Sequence, residues 1–402
     1  MFNNKKMIAL FFFVGLVSTD ASYASGIEDL QLIQILKDDV NDFDGLGNPR
    51  SVKVISDNSK VFVSSGDDNA LAVFNLDENF QLTFSQVFKN TATNINGLEG
   101  ASGVTYFDLG NEIVVTGFYD GALTKFSRNN NSYRFNQFIS DGLSYERVFD
   151  SNVPIGKLDS LGLLGAWDIV KANNEKQLFV ASYMSNAISI LDVMEDKKVI
   201  FNRVIKDAKP LSNDLGKPIA IALSPLNNEL YVLGFDGHQL TIYDRDPSGD
   251  LLAKQVLKND IAGLKQFINP QEIVVSPNGK FLYVACAGSN SIVVFHKLDT
   301  GQFTFLQAIN NSDIGGSGLE GASSLAISSD GLKIYAAGES GSGLYLFSVK
   351  ADGRLSYKNK LVNVHDDELN GISSITLTDD NRHLLVATGK SNSLFVFKIK
   401  IH

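Results

Sequence analysis

One unit of roughly fifty residues recurs seven times, and a period of that length implies repeated supersecondary units stacked on one another. Anchored at Asn48, Gly100, Gly165, Lys217, Asn269, Gly321 and Gly371, the copies are spaced by 52, 65, 52, 52, 52 and 50 residues. The copy from Asn269 to Asn310 reads NPQEIVVSPNGKFLYVACAGSNSIVVFHKLDTGQFTFLQAINN. It holds four short β-type runs divided by Ser-Pro-Asn-Gly at Ser276–Gly279, Gly288-Ser289-Asn290 and Asp299-Thr300-Gly301, all of them turn chemistry. The second run repeats as VFVSSG, IVVTGF, LFVASY, LYVLGF, LYVACA, IYAAGE and LLVATG, and the third as ALAVF, ALTKF, AISIL, QLTIY, SIVVF, GLYLF and SLFVF. Four antiparallel strands per unit describe a propeller blade, so the expected fold is an all-β, seven-bladed β-propeller of four-stranded antiparallel blades.

The last copy stops at His402, directly after its third run, and lacks a fourth. A run of that type stands at the other end of the chain: LQLIQIL at Leu30–Leu36 resembles LTFSQVF at Leu82 and FTFLQAI at Phe303. The N-terminal strand is therefore expected to complete the C-terminal blade and close the ring, which removes a free sheet edge.

Residues 1–24 read as a secretory signal: Lys5 and Lys6 precede the apolar run Met7–Val17, and Ser22-Tyr23-Ala24 offers small residues at a cleavage site. The run is too short to span a bilayer, and the domain is assigned to residues 25–402 as one propeller. The expected location is the periplasm or the extracellular space, and the expected state a monomer. Formal net charge is −10, or −11 without the segment carrying Lys5, Lys6 and Asp20, with no basic cluster, which argues against nucleic acid or an anionic membrane as partner.

The single cysteine forms no internal disulfide, and Cys286 aligns with Ser65, Gly117, Ser182, Gly234, Gly338 and Thr388, a column that wants a small residue. Of the histidines, His238 falls in a turn column otherwise held by Asn69, Asn186, Asn290 and Asn392. His296, His365, His383 and His402 show no metal-pair spacing, so neither a metal nor a cofactor is expected. The repeated Gly-Leu-Glu-Gly-Ala-Ser at Gly97 and Gly318 reads as a crowded inter-blade turn rather than a calcium loop.

The blade SPNGKFLYVACAGSNSIVVFHKLDTGQFTF, with weaker copies SSDGLKIYAAG at Ser328 and SPLNNELYVLG at Ser224, resembles the YVTN-type propellers of the bacterial lactonase-like family, which includes 6-phosphogluconolactonase-like and carboxymuconate-cyclase-like proteins. The resemblance spans residues 27–402 and implies the propeller fold. It also implies a lactone hydrolase or cycloisomerase, whose active members carry Pro-Arg-His at a first-strand entrance with further Arg and Glu facing the centre. Here the entrances read Pro270-Gln271-Glu272 and Pro49-Arg50-Ser51, with no histidine at any of the seven first-strand entrances, so no catalytic residue carries over.

Function should show as departure from the repeat on the face formed by first-strand entrances and second-to-third-strand turns. Three entrances depart from small or neutral residues: Arg50, Trp167-Asp168 and Gln271-Glu272. With the turn residues Tyr119, Tyr183, Phe235, Glu339 and Lys390 they make the candidate ligand-binding set. The lone Trp follows the one oversized connection, Ser144–Ser160, expected to fold over the rim. The favoured function is non-catalytic binding of a protein or small ligand on this face, which predicts a shallow apolar patch. The alternative is a lactonase or cycloisomerase, with Glu272 or Asp168 as general base and Arg50 holding an anion, which predicts a strongly desolvated carboxylate in an axial pocket with Arg50 beside it.

Overall fold

A computed structural model describes residues 30–40, 43–90, 95–146, 159–206, 211, 214–246, 250–364 and 367–400. The expected leader at residues 1–24 and all but the ends of the Ser144–Ser160 connection lie outside these. No helix among the described residues is long and apolar enough to cross a membrane.

Second strands such as Lys60–Ser65, Glu112–Gly117 and Phe281–Cys286 are buried along their whole length, as a strand covered on both faces must be. What covers them is the neighbouring blades. Seven four-stranded antiparallel sheets stand in a ring, with inner strands Pro49–Val54, Ala101–Phe107, Ala166–Lys171, Pro218–Leu223, Pro270–Val275, Ala322–Ile327 and Ile372–Leu377. Each of the apolar clusters joins adjacent blades; one packs Phe62 and Val73 of the first against Ile113 and Phe126 of the second. Cys286 lies wholly buried in such a cluster, a small core residue.

The seventh blade is completed as expected: Leu30–Lys37 pairs antiparallel with Ser393–Ile399, from Leu30 opposite Ile399 to Lys37 opposite Ser393.

Two sets of side-chain latches explain residues that the repeat keeps. The seven anchor positions all take left-handed backbone, φ running from 49° at Asn269 to 71° at Gly165, which favours Asn and Gly there. Turn residues of the preceding blade cap these anchors. The N–H groups of Gly100, Lys217, Gly321 and Asn48 donate to Oδ1 of Asn69, Asn186, Asn290 and Asn392 at 2.7–2.9 Å. His238 does the same work with Nδ1, 3.1 Å from the Asn269 N–H, which accounts for its place in an Asn column. The Asn48–Asn392 latch seals the first blade to the last.

On the outer rim a glutamine reaches to the next blade and bonds both backbone groups of one residue. Gln86 Nε2 donates to the Tyr133 carbonyl at 3.1 Å, and the Tyr133 N–H donates to Gln86 Oε1 at 2.6 Å. Gln34 with Leu82, Gln137 with Val199, Gln255 with Phe303 and Gln307 with Leu355 repeat the arrangement.

Candidate functional site

Each inner strand begins with a register shift against its second strand, between Pro49 and Ser51, Ala166 and Asp168, Pro270 and Glu272, and equivalently in the other four blades. A bulge leaves one residue unpaired and re-aims its side chain. Consecutive residues, Arg50-Ser51, Trp167-Asp168 and Gln271-Glu272, thus all line one axial cavity of about 550 Å³. Blade contact is tight here: a Cβ added at Gly103 would lie 2.7 Å from the Trp167 carbonyl oxygen, so only glycine fits.

Glu339 belongs to the site because its turn is pinned to the mouth. Its N–H donates to the carbonyl of the anchor Gly321 at 3.0 Å, a bond repeated in every blade, as from Gly66 to Asn48 and Tyr183 to Gly165. From there its Oε1 pairs with Arg50 Nη1 at 2.6 Å. The Arg50 guanidinium also lies 5.6 Å from the centre of the Trp167 ring, which meets Phe118 edge-on at 5.6 Å. Arg50, expected to hold a substrate anion, is therefore already engaged by a carboxylate and an aromatic face.

Asp168 and Glu272 stand deeper, on the third and fifth blades. Burial raises the Asp168 carboxyl above its usual range, opposed by the charge of Lys53 and by the N–H groups of Ile221 and Ile169, which donate to its two oxygens at 3.0 and 2.8 Å. Burial, and then the nearby Asp168, push Glu272 up to about 8; Lys53 and a single 3.3 Å bond from the Ile273 N–H oppose it. Both carboxyl groups share one desolvated environment, in which Asp168 accepts two backbone N–H bonds and Glu272 one. Gln271 Oε1, on the same strand as Glu272, is buried without a hydrogen-bond partner among the described residues.

Of the ten candidates, Arg50, Trp167, Asp168, Gln271, Glu272 and Glu339 line the cavity, and Tyr119, Tyr183, Phe235 and Lys390 do not. Those four sit on the rim. Tyr119 meets Phe118 and Tyr145 edge-on, Tyr183 donates to Asp236 Oδ2 at 2.9 Å and contacts Phe235, and the exposed Lys390 lies over Gly371. Lys53 was not among the candidates. It stands five residues past its anchor, in a column that otherwise reads Thr105, Val170, Ala222, Val274, Ala326 and Thr376, and all of these line the cavity. The departure from the repeat was legible; the column's inward direction was not.

Side-chain carboxylates hold the Gly-Leu-Glu-Gly loops, one from within its loop and one from the next turn. Glu320 accepts from the Gly318 N–H at 2.7 Å and from the Asn311 amide at 2.9 Å, and Asp120 accepts from Gly97 and Glu99 at 3.0 and 2.9 Å.

Residues 168–402 match the family model described as lactonase, 7-bladed beta-propeller. Among solved structures, the periplasmic gluconolactonase of Pseudomonas aeruginosa is 14% identical with a TM-score of 0.62, covering 81% of this chain and 86% of that one. A protein of Bacteroides fragilis provisionally named as a 6-phosphogluconolactonase is 16% identical, TM-score 0.62, over 81% and 86% of the two chains. A similarly named protein of Bacteroides uniformis is 16% identical, TM-score 0.59, over 82% and 87%. No curated protein matches the sequence. With more than half of its length matched by one family model, and with seven four-stranded blades around one axis, the chain belongs to the seven-bladed β-propeller lactonase family.

Proposed function

We propose that the protein is a lactone hydrolase whose reaction takes place between Asp168 and Glu272. The observation that carries this reading is the pair itself: Asp168 and Glu272 line one axial cavity, burial raises both carboxyls, and Asp168 accepts two backbone N–H bonds where Glu272 accepts one. Near neutral pH Asp168 is the base and Glu272 the acid. Asp168 takes a proton from water as its oxygen adds to the lactone carbonyl. The tetrahedral adduct collapses, the ring C–O bond breaks, and the leaving ring oxygen takes the proton of Glu272. The hydroxy acid then ionises to bulk water, and the proton on Asp168 passes back to Glu272.

The non-catalytic binding reading favoured by the sequence called for a shallow apolar patch without a desolvated carboxylate. The depth of the cavity and the state of Glu272 support the catalytic alternative instead. Arg50, Lys53 and Lys171 share the cavity with Asp168, Glu272 and Glu339, and two of these cations are already paired, Arg50 with Glu339 and Lys171 with Glu175. A phosphate dianion is poorly matched there, and an uncharged sugar lactone fits better. Export through residues 1–24 is part of the proposal and is checked by the N-terminal sequence of the mature protein.

Hydrolysis of glucono-δ-lactone, followed with a pH indicator, tests the reading. Asp168→Asn and Glu272→Gln should each lower kcat/KM by about 10²–10⁴-fold, and wild-type activity should fall as pH rises through about 8. A phosphorylated analogue should be the poorer substrate. Wild-type turnover no faster than the spontaneous reaction, or full activity in Asp168→Asn, would sink the proposal.

A further inference from the structure

Three cations line the axial cavity among the described residues: Arg50, Lys53 and Lys171. Two of them are committed. Arg50 pairs with Glu339, and Lys171 pairs with Glu175 while lying 4.9 Å from the centre of the Tyr106 ring. The Lys53 side chain makes no hydrogen bond or ion pair to any described residue. It is exposed to the cavity, and its charge acts on both Asp168 and Glu272. These groups come from the first, third and fifth blades, so they surround the axis rather than crowd one wall. An ammonium with no hydrogen-bond or ion-pair partner among the described residues, sharing a cavity with two carboxyl groups, is suited to a negative charge that appears only during the reaction.

Building on the hydrolase reading above, we propose that Lys53 is a catalytic residue. Its ammonium holds the carbonyl oxygen of the bound lactone as water adds and that oxygen becomes an oxyanion, then holds the carboxylate of the opened product until release. Lys53 keeps its proton throughout. The proton movements remain those of water to Asp168 and Glu272 to the ring oxygen. The cation thus selects for a substrate whose reacting carbonyl reaches the depth of Lys53, below the mouth ring of Arg50, Trp167 and Glu339.

The test uses the full-length mature protein with glucono-δ-lactone as substrate and D-gluconate as product analogue. Lys53→Met keeps the length and removes the charge; Lys53→Arg keeps the charge. Lys53→Met should lower kcat/KM by about 10²–10³-fold, chiefly through kcat, as expected for loss of one oxyanion partner. Lys53→Arg should recover at least about tenfold of that loss. Gluconate should inhibit wild type and lose its grip on Lys53→Met. The alkaline limb of the pH profile should also move upward in Lys53→Met, because among the charged groups that line the cavity with Glu272, which are Asp168, Lys53, Lys171 and the Arg50–Glu339 pair at the mouth, Lys53 draws its pKa down. Thermal melts of both variants establish folding, which the exposed side chain should not disturb. If Lys53→Met stays within about threefold of wild type while Asp168→Asn is inactive, Lys53 is not the oxyanion partner and the hydrolase reading survives. If wild type, Asp168→Asn and Glu272→Gln are equally slow, the reading falls and takes this assignment with it.

Discussion

Glu272→Gln should make the protein more stable, and only where the pH is high. The carboxyl has an ordinary value of 4.5 and is pushed up to about 8 in the fold, so folding takes up a proton between those limits. Because the folded value lies above the unfolded one, stability is greatest below pH 4.5, declines as the pH rises toward 8, and levels off beyond it. At about 1.4 kcal/mol per pH unit the interval is worth at most about 5 kcal/mol. The side chain is only half-buried and opens on the cavity, where water and Lys53 screen its charge, so about 2 kcal/mol is the reasoned magnitude. Glutamine keeps the shape and cannot ionise. Urea unfolding of wild type and variant, followed by the fluorescence of the lone Trp167 and by circular dichroism, gives the difference at each pH. The variant should gain about 2 kcal/mol near pH 8 and nothing near pH 4.5. An equal gain at both pH values, or a loss near pH 8, would refute the claim that burial and Asp168 hold Glu272 protonated. A functional site that costs the fold stability is the expected signature of a group kept for chemistry.

Other perturbations test the frame around the site. Gln86→Ala removes two hydrogen bonds between the first and second blades and should cost about 1–2 kcal/mol in urea unfolding; no change would mean the rim glutamines are ornamental to stability. Lys125 and Glu112 form a 2.5 Å ion pair with side chains 3% and 11% exposed, so Glu112→Ala, which strands the ammonium, should cost about 3–5 kcal/mol. Replacing both by apolar residues of similar volume should cost far less, and equal losses would contradict the desolvation argument. His383 is buried against Phe80 with Nδ1 unpartnered, and burial lowers it to about 4, below its ordinary 6.5. Its contribution is present above pH 6.5 and lost as the pH falls toward 4, so His383→Leu should flatten that part of the stability profile by about 1–2 kcal/mol.

The ring was legible because a blade is local. Its strands are adjacent in sequence and its turns advertise themselves through Ser-Pro-Asn-Gly and Gly-Ser-Asn. Even the non-local closure could be read, since Leu30–Leu36 has the pattern of a fourth strand and only one blade lacks it. The candidate set was legible in part for the same reason: Arg50, Trp167, Asp168, Gln271 and Glu272 break a column that is otherwise small, and columns in a ring converge on one axis.

What departure from the repeat could not provide was depth and pairing. Tyr119, Tyr183 and Phe235 break their columns as strongly as Glu339 does, yet only Glu339 lines the cavity and meets Arg50, 289 residues earlier in the chain. Lys53 follows Ser51 by two residues and shares its face by strand alternation, but nothing in the sequence says that this face, rather than the opposite one, lines the axis. Sequence alone determined the number of blades, the closing strand and the face to inspect, because these follow from periodicity and turn chemistry. Only the tertiary structure decided that Arg50 pairs with Glu339, that the Lys53 side chain has no partner among the described residues, and that Asp168 and Glu272 are desolvated together. Those properties depend on distances between blades, which the order of residues within a blade does not contain.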